Sequence, residues 1–249
     1  MYKKISSLIR KKILEIAYIK KANHIGSNLS IVDILVVLYK DQIKKNNNNK
    51  LILSKGHACL SLYCILNYFK FLSSKNLDKY SDNNSVMMSH ASHKVPGVFF
   101  STGSLGHGLS YAAGKCYINK KDKIFVLLSD GELNEGSNWE ALLFIAHHKL
   151  TNLIIIVDYN KLQGIDHVDK VIKLDPIDKK LKSFGFDVLS INGHKHLEIK
   201  KAIKKKHKKP LFIIANTIKG KGVDFMENKV LWHYKSLDLD LLEKALKQL

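Results

Sequence analysis

Short apolar runs alternate with stretches of helical periodicity along this chain. Five runs have the length and composition of buried strands, and they span residues 50–54, 123–128, 153–157, 187–191 and 211–216. Apolar residues recur at helical spacing in the segments 3–20, 31–40, 58–70, 111–118, 177–184 and 197–207. This alternation predicts an α/β fold with a mostly parallel sheet of five or six strands and helices on both faces. No repeat or linker divides the sequence, so we expect residues 1–249 to form a single domain.

Two predicted connections carry more polar residues than a simple turn needs. Residues 22–30 contain Asn, His, Gly and Ser between two helical stretches, which predicts a loop. Residues 73–100 form a longer polar connection without a regular pattern, and such segments inside compact domains are usually functional or disordered. Its histidines and its Pro-Gly turn favour function. The short polar run 46–49 predicts a further loop.

The most informative segment, residues 127–163, is predicted to form a strand, a helix and a second strand. Two strands joined by one crossover helix normally lie parallel, so we expect Asp130 and Asn160 at the same edge of the sheet. That edge is where open α/β sheets bind ligands. A carboxylate and a carboxamide oxygen side by side, next to the open backbone of Gly131, suit a magnesium ion that also holds a phosphate. The alternative is that Asp130-Gly131 is a tight turn and Asn160 a loop residue.

The sequence around this pair resembles the diphosphate-binding motif of thiamine diphosphate enzymes, and its flanking residues are similar to those of transketolase. Asp130, Gly131 and Asn160 match the motif, which usually opens with Gly where this chain has Ser129. The resemblance implies that Mg²⁺ is held by Asp130, Asn160 and the main-chain oxygen of Leu162. It also implies cofactor contacts from Gly131, Glu132 and Asn160.

Two further segments are similar to parts of transketolase that contact the cofactor. Leu-Ser-Lys-Gly-His-Ala places His57 at a helix start after the first predicted strand, where loop amides can face an anion. Taken alone, such a histidine is more often a capping or solvated residue. Residues 101–110, STGSLGHGLS, contain glycines that allow close backbone approach, although they match neither the dinucleotide fingerprint nor the P-loop. The resemblance implies cofactor contacts from His57, Gly103, Leu105 and Gly106, with His107 standing where Gln is commoner.

Histidines in matching local sequence extend the resemblance to the substrate channel. His24 in Ala-Asn-His-Ile-Gly-Ser and His90 in Ser-His-Ala-Ser-His correspond to channel positions, and His93 is a rival to His90. His233 in Leu-Trp-His-Tyr corresponds to a late histidine near the diphosphate and thiazolium, so it is also expected to contact the cofactor. The resemblance implies catalytic roles for His24, His57, His90 and His233, because histidines can exchange protons near neutral pH.

A formal net charge of +19 is the usual signature of a nucleic-acid-binding protein, but its distribution favours another explanation. Lysines are spread along the whole chain with abundant Asn and Ile, and Arg10 is the one arginine, as compositional bias would produce. The densest cluster, residues 200–209, is predicted to be a solvated helix face. We therefore expect no nucleic-acid partner.

The remaining composition indicates a cytoplasmic protein without a membrane partner. No apolar run reaches the length of about 18 residues expected of a membrane span, and the N-terminal segment lacks the apolar core of an export signal. Cys59, Cys64 and Cys116 lack metal-ligand spacing and are predicted to be buried thiols in a reducing compartment. The histidine pairs 147–148 and 194/196 also lack such spacing and are predicted to be surface or packing residues.

The resemblance covers residues 21–237 and implies a specific activity. Transketolases use thiamine diphosphate to transfer a two-carbon ketol unit from a ketose phosphate to an aldose phosphate, as in the pentose phosphate pathway, and the cofactor performs the hard step. The glutamate that activates the cofactor comes from a second, pyrimidine-binding domain. We therefore expect the N-terminal subunit of a split transketolase, active with a C-terminal partner subunit in a heterotetramer.

Three alternatives stay open on the sequence. The first is a subunit of another thiamine diphosphate enzyme, such as a 2-oxoacid dehydrogenase or a deoxyxylulose phosphate synthase, because these share the magnesium motif. The second is a nucleic-acid-binding protein that retains an old enzyme fold, which steeply salt-dependent binding to duplex would support. The third is a specialised relative that serves sugar, polysaccharide or secondary metabolism.

Overall fold

A parallel sheet of five strands forms the centre of the protein in the computed structural model, which describes residues 1–46 and 48–249. Its strands are β1 (Lys50–Leu53), β2 (Ile124–Ser129), β3 (Leu153–Tyr159), β4 (Asp187–Asn192) and β5 (Leu211–Asn216). They lie in the order β1-β2-β3-β5-β4, and each neighbouring pair is parallel. The predicted α/β fold is confirmed. Asn47, in the predicted loop 46–49, lies outside the described residues.

Alternate residues of the strands pack into two separate hydrophobic cores, one on each face of the sheet. In β2, Phe125 and Leu127 belong to the first core, whereas Val126 and Leu128 belong to the second. All four side chains are fully buried. A parallel strand that is buried on both faces needs a continuous apolar run, and this explains why the strands are visible in the sequence.

Helices cover both faces of the sheet, as predicted. Residues of the first five helices and the last two lie in the first core, and residues of the sixth to ninth helices lie in the second. In chain order the helices are α1 (Tyr2–Ile19), α2 (Ile25–Ser30), α3 (Val32–Leu38), α4 (Cys59–Tyr68), α5 (Ser74–Leu77), α6 (Gly108–Ile118), α7 (Gly136–His147), α8 (Val168–Val171), α9 (Ile177–Ser183), α10 (His196–Lys204) and α11 (Leu239–Gln248). A π-helical turn, Tyr39–Ile43, continues α3, and 3₁₀ turns occupy Gly56–Ala58, Gly131–Asn134 and Val230–His233.

The loops that follow the strands start at one edge of the sheet, because all the strands run in the same direction. Ser129 pairs with Asp158 at the end of the ladder between β2 and β3. The main-chain N–H of Asp130 then donates to the main-chain oxygen of Asp158 at 3.3 Å. Asp130 and Asn160 therefore begin adjacent loops at the carboxyl edge, which is where the strand-helix-strand pattern predicts them.

The prediction of a loop over residues 22–30 is wrong in its second half, where the chain forms α2. All six residues of this helix are buried, so it has no polar face to produce an amphipathic pattern. Asn28 Nδ2 donates to the main-chain oxygen of His24 at 2.9 Å, and the Ser61 hydroxyl donates to the main-chain oxygen of Asn28 at 2.6 Å. The hydrogen bond from Ser61 thus ties this helix to α4, and no amphipathic pattern marks it in the sequence.

Other boundaries shift slightly. The connection over 73–100 is irregular apart from α5, which the Ser73 hydroxyl caps by accepting from the N–H of Asn76 at 3.2 Å. The helix predicted to reach residue 207 ends at Lys204, and residues 205–209 form a mostly exposed connection to β5.

The three cysteines are free and buried, as predicted. Within residues 1–46 and 48–249, no helix has the length and apolar character needed to cross a bilayer.

A buried ion pair ties the first helices together. Arg10 Nη2 in α1 lies 2.6 Å from Asp33 Oδ2 in α3, and the two side chains are 8% and 4% exposed. His194 Nδ1 and His196 Nε2 lie 2.9 and 3.0 Å from the same carboxylate. Burial opposes its charge, but hydrogen bonds with both histidines and the charge of Arg10 hold the pKa of Asp33 below its ordinary value. These two histidines therefore pack against a buried carboxylate.

Replacing Asp33 by Ala should destabilise the protein by about 3–5 kcal/mol, because the change leaves the buried Arg10 without its anionic partner. Chemical denaturation followed by circular dichroism measures the loss. Asp178→Ala is the matched control: it breaks the exposed Lys182–Asp178 pair and should leave the denaturation midpoint unchanged. Equal midpoints for Asp33→Ala and the unaltered protein would contradict a stabilising role of the buried pair.

Candidate functional site

A cavity of about 390 Å³ opens along the carboxyl edge of the sheet. Loops that follow β1, β2, β3 and β5 form its walls together with α2 and the turn Val230–His233. The candidate residues that line it are His24, His57, His90, Gly103, Leu105, Asp130, Gly131, Asn160, Leu162 and His233. Residues far apart in the sequence are thus brought into one space.

The four candidate histidines form a cluster in this cavity with His24 at its centre. The ring centroid of His24 lies 5.3 Å from that of His57, 5.9 Å from that of His90 and 4.8 Å from that of His233. The rings of His57 and His233 are 5.6 Å apart. Several imidazoles can therefore act on one small ligand.

Main-chain contacts hold these histidines in place. His24 has a left-handed backbone with a φ of 58°, and its N–H donates to the main-chain oxygen of His233 at 2.8 Å. A residue with a side chain adopts this conformation only where its surroundings enforce it. The Tyr63 hydroxyl donates to the main-chain oxygen of His90 at 3.0 Å. His93, the rival to His90, is exposed and does not line the cavity.

Burial keeps these rings neutral near pH 7. It is the main reason why the pKa of His24 falls to about 4 and that of His233 to about 3. Burial, followed by the charge of Lys55, lowers the pKa of His57 well below its ordinary value, and burial also lowers the pKa of His90. A neutral imidazole donates from one nitrogen and accepts at the other, so the cluster can orient hydroxyl groups and exchange protons with them.

The loops that follow β2 and β3 bring Asp130, Asn160 and Leu162 to the same cavity. The Asp130 carboxylate accepts from the main-chain N–H groups of Gly131 at 2.7 Å and Lys161 at 2.5 Å. Asn160 Oδ1 accepts from the N–H of Leu162 at 3.0 Å. The side chain of Asp130 is buried, and Asp130, Asn160 and Leu162 all line the cavity.

The oxygen atoms of Asp130, Asn160 and Leu162 are of the kinds that Mg²⁺ prefers as ligands. A carboxylate, a carboxamide oxygen and a main-chain carbonyl are hard ligands, and Mg²⁺ usually combines a few such ligands with water and phosphate oxygens. Burial and the charge of Asp158 raise the pKa of Asp130 to about 7, so a nearby cation would stabilise its carboxylate. Among residues 1–46 and 48–249, no three or more His, Cys, Asp and Glu side chains form a metal-binding group. A metal ion at this position would therefore need the amide and main-chain oxygens beside the carboxylate.

Two buried lysines in the cavity are absent from the residues predicted to form the site. Lys55 and Lys219 both line it, and each is only 1% exposed. Lys219 Nζ donates to the main-chain oxygens of Leu162 at 3.3 Å and Gln163 at 2.8 Å, and it lies 3.2 Å from His233 Nδ1. Burial and the charge of Lys55 lower the pKa of Lys219 to about 8, so most of the ammonium stays charged at pH 7. This charge suits a phosphate group.

The local sequence offers one weak signal for these lysines. Each is followed by a glycine and comes shortly after a buried strand, where the backbone can approach a ligand. The chain contains 41 Lys and Arg residues, so this signal does not distinguish them from solvated lysines.

The glycine-rich loop before α6 is held by a hydrogen bond to the buried carboxylate of Glu132. Gly106 has a φ of +86°, and an added Cβ would lie 2.9 Å from the Cβ of Glu135, so glycine is needed there. Glu132 is fully buried, and its Oε1 accepts from the N–H of Gly106 at 2.9 Å. Gly106 and Glu132 do not line the cavity, and their contacts with a cofactor stay a prediction. His107 is exposed and also lies outside the cavity.

The sequence matches a known protein family and its members over almost the whole chain. The family model described as "Transketolase, thiamine diphosphate binding domain" matches residues 2–249. An apulose-4-phosphate transketolase subunit from Actinobacillus succinogenes is 39% identical, with 99% of this chain and 95% of that protein covered. The apulose-4-phosphate transketolase subunit from Phocaeicola vulgatus is 35% identical, with 96% of this chain and 90% of that protein covered.

The fold is also similar to that of a solved transketolase. The crystal structure of transketolase from Campylobacter jejuni superposes with a TM-score of 0.88 at 31% sequence identity, and the match covers 99% of this chain. The chain spans 42% of the length of that transketolase. The chain therefore belongs to the transketolase family, in which it matches the thiamine diphosphate binding domain.

Proposed function

We propose that the chain is the N-terminal subunit of a split transketolase, which transfers a two-carbon ketol unit from a ketose phosphate to an aldose phosphate. The observation that carries the proposal is one cavity that combines the histidine cluster with the oxygen atoms of Asp130, Asn160 and Leu162. Family membership favours this activity over that of a 2-oxoacid dehydrogenase or a deoxyxylulose phosphate synthase.

Thiamine diphosphate and Mg²⁺ are the proposed cofactors. Asp130, Asn160 and the main-chain oxygen of Leu162 would hold the metal. The backbone of Gly131 and the ammonium group of Lys219 are the groups best suited to the diphosphate, since one permits close approach and the other carries positive charge. When bound, thiamine diphosphate supplies the carbanion chemistry that breaks the bond beside a ketose carbonyl.

The histidine cluster is proposed to handle protons at the substrate oxygens. His24, His57, His90 and His233 can each donate to or accept from a hydroxyl or carbonyl oxygen in the neutral state that burial favours. His24 contacts the other three rings, so it is expected to be the most sensitive position. Buried positive charge at the cavity would attract phosphorylated sugars.

A C-terminal partner subunit is proposed to complete the site. The two apulose-4-phosphate transketolase relatives are named as subunits, which implies that each has a partner, and the transketolase of Campylobacter jejuni is more than twice as long as the part matched here. Apolar side chains at the cavity rim are exposed, namely Ile165 at 73%, Ile172 at 58% and Tyr234 at 61%. A pyrimidine-binding domain that covers this rim would bury them and supply the activating glutamate, in a heterotetramer with two copies of each chain.

The sugar phosphate and the cellular location complete the proposal. We propose a cytoplasmic location, because the three free cysteines would stay reduced there. Two relatives are named for apulose 4-phosphate. The proposed substrates are therefore either the sugar phosphates of the pentose phosphate pathway or a more specialised sugar phosphate. Turnover of a panel of ketose phosphate donors with the partner subunit separates these substrates, and the absence of turnover with every donor would count against the proposed reaction.

Asp130→Ala should weaken magnesium-dependent binding of thiamine diphosphate by about 100-fold or more, because loss of a direct ligand should cost at least as much as loss of an outer-shell partner. Isothermal titration calorimetry of the chain assembled with its partner subunit measures the affinity. Asp169→Ala, which removes an exposed carboxylate from α8, is the control and should bind normally. Equal affinities of the two variants would show that the metal assignment is wrong.

His24→Gln should lower kcat by about 10²–10⁴-fold, because proton transfer by a positioned histidine contributes that much to a reaction rate. A ketose phosphate donor assay with the partner subunit measures the change, and calorimetry should show that cofactor affinity is retained. His93→Gln alters the exposed histidine outside the cluster and should leave kcat unchanged. A similar loss in both variants would argue against a specific role for His24.

A further inference from the structure

A buried carboxylate that accepts four hydrogen bonds lies next to the proposed magnesium ligand Asn160. Asp158 at the end of β3 is fully buried and does not line the cavity. Its Oδ1 accepts from the hydroxyl groups of Ser30, at 2.6 Å, and Thr217. Its Oδ2 accepts from Lys55 Nζ at 2.5 Å and from Asn160 Nδ2 at 3.0 Å. Four segments of the chain thus converge on one side chain.

The hydrogen bond to Asp158 determines which way the carboxamide of Asn160 faces. An ionised carboxylate can only accept, so the amide nitrogen rather than the amide oxygen must face it. The nitrogen also lies 3.4 Å from the hydroxyl of Ser30. The oxygen is left on the opposite side of the planar group, where it accepts from the N–H of Leu162 at 3.0 Å. Leu162 is also the residue whose main-chain oxygen is proposed to bind Mg²⁺.

The charge of Lys55 compensates the charge of the buried Asp158 carboxylate. The side chains of Lys55 and Asp158 are 1% and 0% exposed, and their charges compensate each other. A lone carboxylate at this depth would be destabilising, and it would add negative charge behind Asp130. The ion pair therefore provides a charged acceptor for Asn160 without a net charge.

We propose that the Lys55–Asp158 ion pair positions a metal ligand. Asp158 fixes the carboxamide of Asn160 so that its oxygen is available to Mg²⁺, and Lys55 holds the carboxylate of Asp158 in place through the ion pair. Both act here as positioning residues through Asn160. This inference rests on the proposed function, because it takes Asn160 as a magnesium ligand. Outer-shell partners of metal ligands commonly account for about 10–100-fold in metal affinity.

The double variant Lys55→Met/Asp158→Leu tests this role, because it removes both charges together and leaves neither buried alone. The substituted side chain has no oxygen that could accept from the nitrogen of Asn160. The carboxamide of Asn160 is then no longer held with its oxygen toward the metal, and it can turn and offer its nitrogen instead. We expect metal affinity to fall by about 10–100-fold.

Electron paramagnetic resonance of Mn²⁺, a substitute for Mg²⁺, measures this affinity in the chain assembled with its partner subunit and thiamine diphosphate, and it requires no turnover. Thr217→Val is the matched control. It removes a donor to Oδ1 of Asp158 but leaves Oδ2 and its bond to Asn160 in place, so Mn²⁺ affinity should be unchanged. An equal loss in Thr217→Val and the double variant would indicate a general structural defect and would overturn the inference.

The outcomes separate this inference from the proposed function. If the unaltered chain binds Mn²⁺ and the double variant binds it equally well, the positioning role is wrong and the proposed metal site stands. If the unaltered chain, assembled with its partner subunit and thiamine diphosphate, does not bind Mn²⁺, the metal site and the inference both fail. If the double variant does not fold, a crystal structure of the unaltered chain with Mn²⁺ decides: a metal-bound site in which Asp158 does not contact Asn160 overturns the inference, and a retained contact supports it.

Discussion

The parallel pairing of β2 with β3 is the constraint on which the site depends. Once Ser129 is paired with Asp158, the next residues of each strand leave the sheet side by side, and Asp130 and Asn160 lie on adjacent loops. The hydrophobic effect fixes this pairing, because both strands are buried on both faces and a shifted register would place their apolar side chains wrongly. Precise placement of polar groups at the carboxyl edge thus results from apolar packing within the sheet.

Charge compensation is the second physical theme of the site. Asp130, Asp158, Lys55 and Lys219 are each at most 1% exposed, and they lie close enough to perturb one another. Lys55 and Asp158 form a direct ion pair. Asp130 and Lys219 instead have pKa values shifted toward neutrality, one upward and one downward, chiefly by burial. A bound cation would stabilise the charge of Asp130 and a bound anion that of Lys219, which is the combination that a metal diphosphate provides.

Strands and site motifs were predictable from the sequence to different degrees. The strands were predicted within about two residues because strands buried on both faces require continuous apolar runs. The matching local sequence predicts the histidines, and the structure distinguishes His90, which lines the cavity, from His93, which is exposed and lies outside it. Helix α2 was missed because all its residues are buried, so that no apolar stripe marks it. Asp158 was missed because its local sequence resembles the interior of a strand, and its partners lie far away along the chain.

The sequence by itself determined the α/β class, the parallel strands and the residues at the ends of β2 and β3, because each of these follows from local periodicity or from neighbours in the chain. It also carried the resemblance to transketolase. Only the tertiary structure decided which lysines face the cavity, that Glu132 supports a loop, and that Asp158 orients Asn160. These properties depend on burial and on contacts between distant segments, and a linear pattern does not contain that information.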